Sequence, residues 1–263
     1  MVPDAALLAY QNIDDTSAAG IDCPMKAGVL PTEVSSLINK AINDGASIIN
    51  YSATSPSPSE YLKWAIARAM SQGVIITTGA GNTSSDNTGS SLSQWSASSV
   101  FPPLVPMESS PPIPPGGRES PSSWGQGVTT AAVGGPVIAP DADGKISSTQ
   151  ATSFSAPIVA GILAQARAKW PNATSNQLLQ LLVNTASTPE GGRDIYVRYG
   201  PINPGKMLNT DPSQYLDENP LADKGGARAR HPRRFASTPM ASLIRARSRI
   251  TTPTSIGAST SHR

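Results

Sequence analysis

The sequence predicts an α/β domain built on a doubly wound parallel sheet, followed by a disordered C-terminal tail. Three observations carry this prediction. Strand-like runs alternate with helical patterns in a β-α-β-α-β order over the first eighty residues, which implies right-handed crossovers and parallel strands. The run Ala46–Ser52 is nearly unbroken in its apolar character, as a sheet covered on both faces requires. After Asp223 there is no acidic residue but there are nine bases in a Ser/Thr/Pro-rich context, leaving eleven bases against all eighteen acids in residues 1–223. An acidic body with such an extension reads as a folded domain plus a basic disordered tail.

The elements follow in order. Ala6–Ile13 is expected to be a strand. Thr32–Asp44 is expected to be a helix, with Val34, Leu37, Ile38, Ala41 and Ile42 on one face and Gly45 just past its end. Ala46–Ser52 is the next strand, Glu60–Ser71 the next helix and Gly73–Thr78 the strand after it. In such sheets ligands bind beyond the carboxyl ends of the strands, and Ser52 and Asn82 fall at such ends. From Ser84 to Ser122 the pattern fails. Phe101-Pro102-Pro103, Pro111-Pro112 and Pro114-Pro115-Gly116-Gly117 lie here. Proline removes ladder donors, so no central strand is expected in this window. It reads either as a long surface loop or as a reading-frame shift. Pro140-Asp141-Ala142-Asp143-Gly144 reads as a hairpin turn, and helices are expected over Ala156–Trp170 and Ser175–Ala186.

At 263 residues the chain is long enough to bury a sizeable core as one domain. Aromatics make up 5% and charged residues 14%, beside 25 prolines and 22 glycines, which suits small-residue packing with long loops. The single cysteine, Cys23, excludes an internal disulfide. No apolar run approaches the roughly 20 residues needed to span a bilayer, and Met1-Val2-Pro3-Asp4 opens no signal peptide. Nothing in the sequence calls for a cofactor or a metal.

The most informative stretch is Thr149-Gln150-Ala151-Thr152-Ser153-Phe154-Ser155-Ala156-Pro157-Ile158-Val159-Ala160-Gly161. Ser153 stands where a helix begins, near unpaired backbone N–H groups and the positive end of the helix dipole. A nucleophile and its oxyanion can use both features; so can a simple helix cap. Upstream, Val74-Ile75-Ile76-Thr77-Thr78-Gly79-Ala80-Gly81-Asn82 is a buried-strand pattern ending in small residues and an asparagine, and Ile48-Ile49-Asn50-Tyr51-Ser52 is another apolar strand ending in a polar residue. In this order the segments resemble the subtilisin-like serine peptidases, the subtilases, over residues 2–83 and 123–208. The segment Ser123-Trp124-Gly125-Gln126-Gly127-Val128 and the closing Tyr199-Gly200-Pro201-Ile202-Asn203 belong to the likeness.

The resemblance implies a three-layer subtilisin-like fold and a serine endopeptidase with a polypeptide substrate. It makes Ser153 the nucleophile and Asn82 the oxyanion residue. Ser52, Ala53 and Thr54 become the specificity-pocket strand, and Gly79, Ala80 and Gly81 join them as substrate-binding residues. Ser155 is expected to be a packing residue. Ala151 replaces a glycine common in the family and would strain the turn if its φ were positive. Thr54 replaces a glycine in the pocket wall. The family's aspartate and histidine are missing: the two histidines, His231 and His262, stand in the polar tail. The family segments that carry them are expected before Met1, so the sheet is expected to be incomplete. Residues 1–210 then form the C-terminal part of a peptidase domain and 211–263 the tail. The resemblance suggests a secreted or cell-envelope protein. Alternatives are a non-catalytic remnant or binding module, and a protein acting through its basic tail. The tail lacks interleaved aromatics, so no nucleic-acid partner is expected.

Overall fold

The computed structural model describes residues 5–10, 33–53, 59–83, 85, 92, 98–101, 103–104, 122–140, 143–189, 191–222 and 224. All lie in one compact unit, Met1–Ala229; Arg230–Arg263 forms a second. Cys23, Thr54, both histidines and most of the 84–122 window lie outside the described residues.

Helix α1, Val34–Asn43, buries Val34, Ser35, Ile38, Ala41 and Ile42 on one face, and Gly45 follows at φ +88°. Strand β1, Ile48–Tyr51, runs parallel to β2, Ile75–Gly79, with Ile48 opposite Ile75 and Tyr51 opposite Thr78. Between them lies α2, Glu60–Ser71. The Ser59 hydroxyl accepts the Leu62 N–H at 3.1 Å and caps this helix. Leu62, Ala65, Ile66 and Ala69 form its buried stripe at helical spacing. The β-α-β-α-β reading holds in its last four elements. It fails in the first: residues 5–10 make no strand ladder, and Leu7 and Leu8 are exposed.

The sheet is covered on both faces, as an all-parallel sheet must be. Ile75 of β2 and Ile48 of β1 pack into one cluster with α3, Thr152–Lys169, and α4, Ser175–Thr185. Their neighbours Ile76 and Ile49 point the other way, into a cluster with α1 and α2. Alternation along two short strands therefore divides the core into two halves, giving three layers.

The window 84–122, read as irregular, does carry a strand, which lies at the end of the described sheet and not at its centre. Strand β3, Ser98–Phe101, pairs in parallel with β2, with Ile76 opposite Ser98 and Gly79 opposite Phe101. The sheet order is β1-β2-β3. The strand escaped the sequence reading because its four residues contain no proline, while the surrounding composition is dominated by it. After it, β4, Pro103–Leu104, pairs with β5, Ala132–Val133, and β6, Val137–Pro140, pairs antiparallel with β7, Ile146–Thr149, as the hairpin reading predicted.

The folded unit also continues past residue 210, where the tail was expected to start. Helix α5, Pro204–Leu208, leads into a 3-10 turn at Pro212–Gln214. Leu221 is fully buried in the α3–α4 cluster. Lys224, one of the bases assigned to the tail, is buried and donates to the Gly127 carbonyl at 2.7 Å. The charge count misled here because one lysine with a buried partner looks, in sequence, like any tail lysine.

Candidate active site

The site is assembled where the carboxyl end of β2 meets the amino end of α3. The approach is close. A Cβ on Gly79 would lie 2.6 Å from Thr152 Oγ1 and 3.3 Å from the Thr152 carbonyl carbon, so only glycine lets strand and helix meet here. Gly81 sits at φ +102°, a conformation that glycine adopts without strain. It turns the chain so that Asn82 faces the helix start.

Helix α3 begins without a cap of its own. Its N-cap residue, Ala151, makes no side-chain capping bond. Its φ of −166° is extended, so the strain expected for an alanine at this position is absent. The missing cap is supplied across the fold: Asn82 Oδ1 accepts the Thr152 N–H at 3.0 Å. In return, the Gly81 N–H donates to Thr152 Oγ1 at 3.2 Å. Ser153 is the next residue along, half-buried in the first helical turn. Its N–H belongs to the orphan donors of a helix start, and its hydroxyl makes no hydrogen bond among the described residues. Four residues on, Pro157 has no N–H to offer the Ser153 carbonyl. Ser155 is completely buried and donates to the Ala132 carbonyl at 3.2 Å, so it packs and does not face solvent.

The Gly81–Asn82 turn is held from its other side by a residue the sequence reading did not single out. The Ser123 N–H donates to the Gly81 carbonyl at 2.8 Å, and its hydroxyl lies 3.0 Å from Thr83 Oγ1. The signal was present as the resumption of pattern at Ser123-Trp124-Gly125, but spacing alone does not say what that segment touches. Ala80 packs against Val128 at 1% exposure. At the end of β1, Ser52 Oγ accepts from Asn50 Nδ2 at 2.9 Å and the Ala53 carbonyl accepts from Thr78 Oγ1 at 3.3 Å. Ala53 is thus tied to β2, the strand that carries Gly79, while Ser52 is tied back to its own strand, β1. The electrostatic character is that of a helix amino terminus, positive toward Ser153. Arg167 and Lys169 in the last turn of α3 complement the opposite pole. Among the described residues there is no histidine.

The subtilase family model of peptidases covers residues 19–215 of this chain. The chain belongs to the subtilase family. It is 43% identical over 60 residues to mycosin-5 of Mycobacterium tuberculosis, a stretch covering 23% of this chain and 10% of that protein. It is 27% identical over 187 residues to the thermostable alkaline protease of Halalkalibacterium halodurans, covering 71% of this chain and 46% of that protein. Among solved structures, fervidolysin of Fervidobacterium pennivorans, a keratinolytic enzyme related to subtilisin, superposes with a TM-score of 0.55 at 26% identity over 67% of this chain and 28% of the other. The chain therefore spans less than half the length of each of these relatives. The parallel sheet between two helical layers is the fold the subtilase family shares with these neighbours.

Proposed function

We propose that this subtilase chain carries the nucleophile and oxyanion half of a serine endopeptidase. The single observation behind this reading is the pairing of the Ser153 helix start with Asn82 through the Thr152 N–H at 3.0 Å. Ser153 Oγ adds to a peptide carbonyl carbon and gives its proton to a base. The carbonyl oxygen takes the negative charge and is met by Asn82 Nδ2 and the Ser153 N–H. The intermediate collapses with loss of the amine, which takes up the proton. The resulting ester on Ser153 is then hydrolysed by water. The polypeptide lies along Ser52, Ala53 and Thr54 on one side. On the other it meets the backbone of Gly79, Ala80 and Gly81, since the Ala80 side chain is turned into packing.

The base and the carboxylate that orients it are proposed to come from outside these 263 residues, because the chain's histidines, His231 and His262, have no family-like His-Gly-Thr context. In subtilisin itself, removing the serine or the histidine costs about 10⁶-fold in kcat, and binding with the oxyanion hole leaves about 10³–10⁴ over water; that scale is borrowed from the relative. The chain alone is therefore expected to react slowly with a fluorophosphonate probe, at Ser153 and nowhere else. Mass spectrometry of the labelled protein checks this. Robust labelling that vanishes in Ser153→Ala would show that the chain holds its own base. Labelling that survives Ser153→Ala would remove Ser153 from the role of nucleophile.

A further inference from the structure

We infer that Thr152 is a positioning residue that selects which end of the Asn82 side-chain amide faces the carbonyl under attack. The inference rests on the peptidase reading above. A side-chain amide has two ends of opposite character: an acceptor oxygen, and a nitrogen with two donor hydrogens. A half-turn about the last torsion exchanges them. Only the nitrogen end stabilises an oxyanion; the oxygen end would repel it. Something must therefore fix the orientation.

The helix start does so. The Thr152 N–H is one of the donors that no residue within α3 can satisfy, and the Ala151 side chain makes no cap bond. Asn82 Oδ1 fills this vacancy from 70 positions away along the chain. With the oxygen committed to the helix, the nitrogen is the polar group left to face outward. A flipped amide would set its NH₂ donor against the Thr152 N–H, donor against donor. Thr152 closes the arrangement with its side chain, because its Oγ1 accepts the N–H of Gly81, the residue next to Asn82. The threonine is itself immobilised: it is 2% exposed, packed against Gly79, and stiff at χ1 through its β-branch. Two hydrogen bonds running in opposite directions thus join Thr152 to consecutive residues of the turn. A residue that served packing alone would need neither.

The test uses the full chain and two readouts. The first is residue-resolved amide hydrogen exchange. Asn82→Ala is expected to speed exchange at the Thr152 amide at least tenfold and to leave Val159–Ala166 unchanged. Thr152→Val, which keeps the shape and removes the oxygen, is expected to speed exchange at Gly81. Thr152→Ser restores it. The second readout is the rate at which a fluorophosphonate probe labels Ser153. Thr152→Val is expected to lower it roughly tenfold, on the scale of one lost hydrogen bond, and Thr152→Ser to recover it. The double variant Thr152→Val/Asn82→Ala is expected to be no slower than Asn82→Ala, because Thr152 acts through Asn82. Unchanged exchange at Thr152 in Asn82→Ala overturns the inference. So does labelling of Thr152→Val at the parent rate, or effects that multiply in the double variant. If Ser153 of the parent takes no label at all, the peptidase reading fails, and the exchange results alone decide whether Thr152 holds the amide.

Discussion

At the residue scale, two glycines on neighbouring elements make opposite predictions. Gly79 has no room for a methyl group, since a Cβ would meet Thr152 Oγ1 at 2.6 Å and the Thr152 Cβ at 3.2 Å. Both contacts lie on a buried residue at a helix start, where the backbone must move. Gly161, inside α3, has nothing within 4 Å of where its Cβ would sit. Gly79→Ala is therefore expected to lower the melting temperature and abolish labelling of Ser153. Gly161→Ala is expected to leave labelling intact and to stabilise by about 0.5–1 kcal/mol, because alanine replaces a glycine within a helix. Thermal melts of the two variants, run side by side, check the pair; a stable, labelled Gly79→Ala would mean that strand and helix do not meet as closely as described. At this scale the sequence was most legible where a motif marks residues that the fold then brings to the meeting of β2 and α3. Ser153 and Asn82 could be singled out because a serine at a helix start and an asparagine at a strand end have few other uses in that order. Thr152 and Ser123 could not. Their value lies in what they touch across the fold, and nothing in their local spacing encodes a partner 40 or 70 residues away.

At the element scale, the segment from Asp211 to Lys224 behaves as part of the domain. Asp217 Oδ1 accepts from Thr174 Oγ1 at 2.7 Å and from Asn176 Nδ2 at 2.9 Å, at the start of α4. Gln177 and Gln180, on the same helix, donate to the Tyr215 and Glu218 carbonyls. Leu221 then fills the core at zero exposure. Leu221→Ala is expected to destabilise by about 2–5 kcal/mol, the range for emptying a fully buried leucine site. Truncation after residue 210 is expected to cost more, because it removes the helix-facing hydrogen bonds as well. Urea unfolding of both variants gives the comparison; a truncated chain with the parent midpoint would return this segment to the tail. The same strap shows why boundaries are harder to read than elements. Helices α1, α2 and α4 were visible because their apolar residues repeat at helical spacing. Strand β3 and the 211–224 strap have no repeat long enough to register. A four-residue strand is outvoted by the prolines around it, and a strap held by backbone carbonyls uses groups that every residue carries.

At the scale of the whole molecule, the sheet formed by the described residues ends at β1, whose Ile48 and Ile49 are only half-buried while every residue of β2 is buried. A strand apolar on both faces is normally an interior strand of a parallel sheet. Leu7, at 92% exposure, adds uncovered apolar surface on the same folded unit. Such surface and an open strand edge favour association with other chains. Both would be relieved by the segment proposed to supply the base. A subtilase N-terminal segment bearing the aspartate strand and the histidine helix, fused ahead of residues 1–224, is expected to cover β1 and supply the base in one step. The fusion must run to 224 and not stop at 210, because Leu221 and Lys224 belong to the core. Solubility and peptide cleavage should then appear together. Cleavage should require Ser153. Asn82→Ala should lower kcat by roughly 10²–10³, the loss seen for the corresponding oxyanion asparagine of subtilisin. The comparison is a fusion of the same segment to the matching part of an intact family member. If that control cleaves a peptide library while the fusion to this chain folds and does not, Ser153 and Asn82 are not held in a productive geometry, and the remnant or binding-module reading replaces the enzyme. If the fusion cleaves with Asn82→Ala at the parent rate, the oxyanion is held by another group.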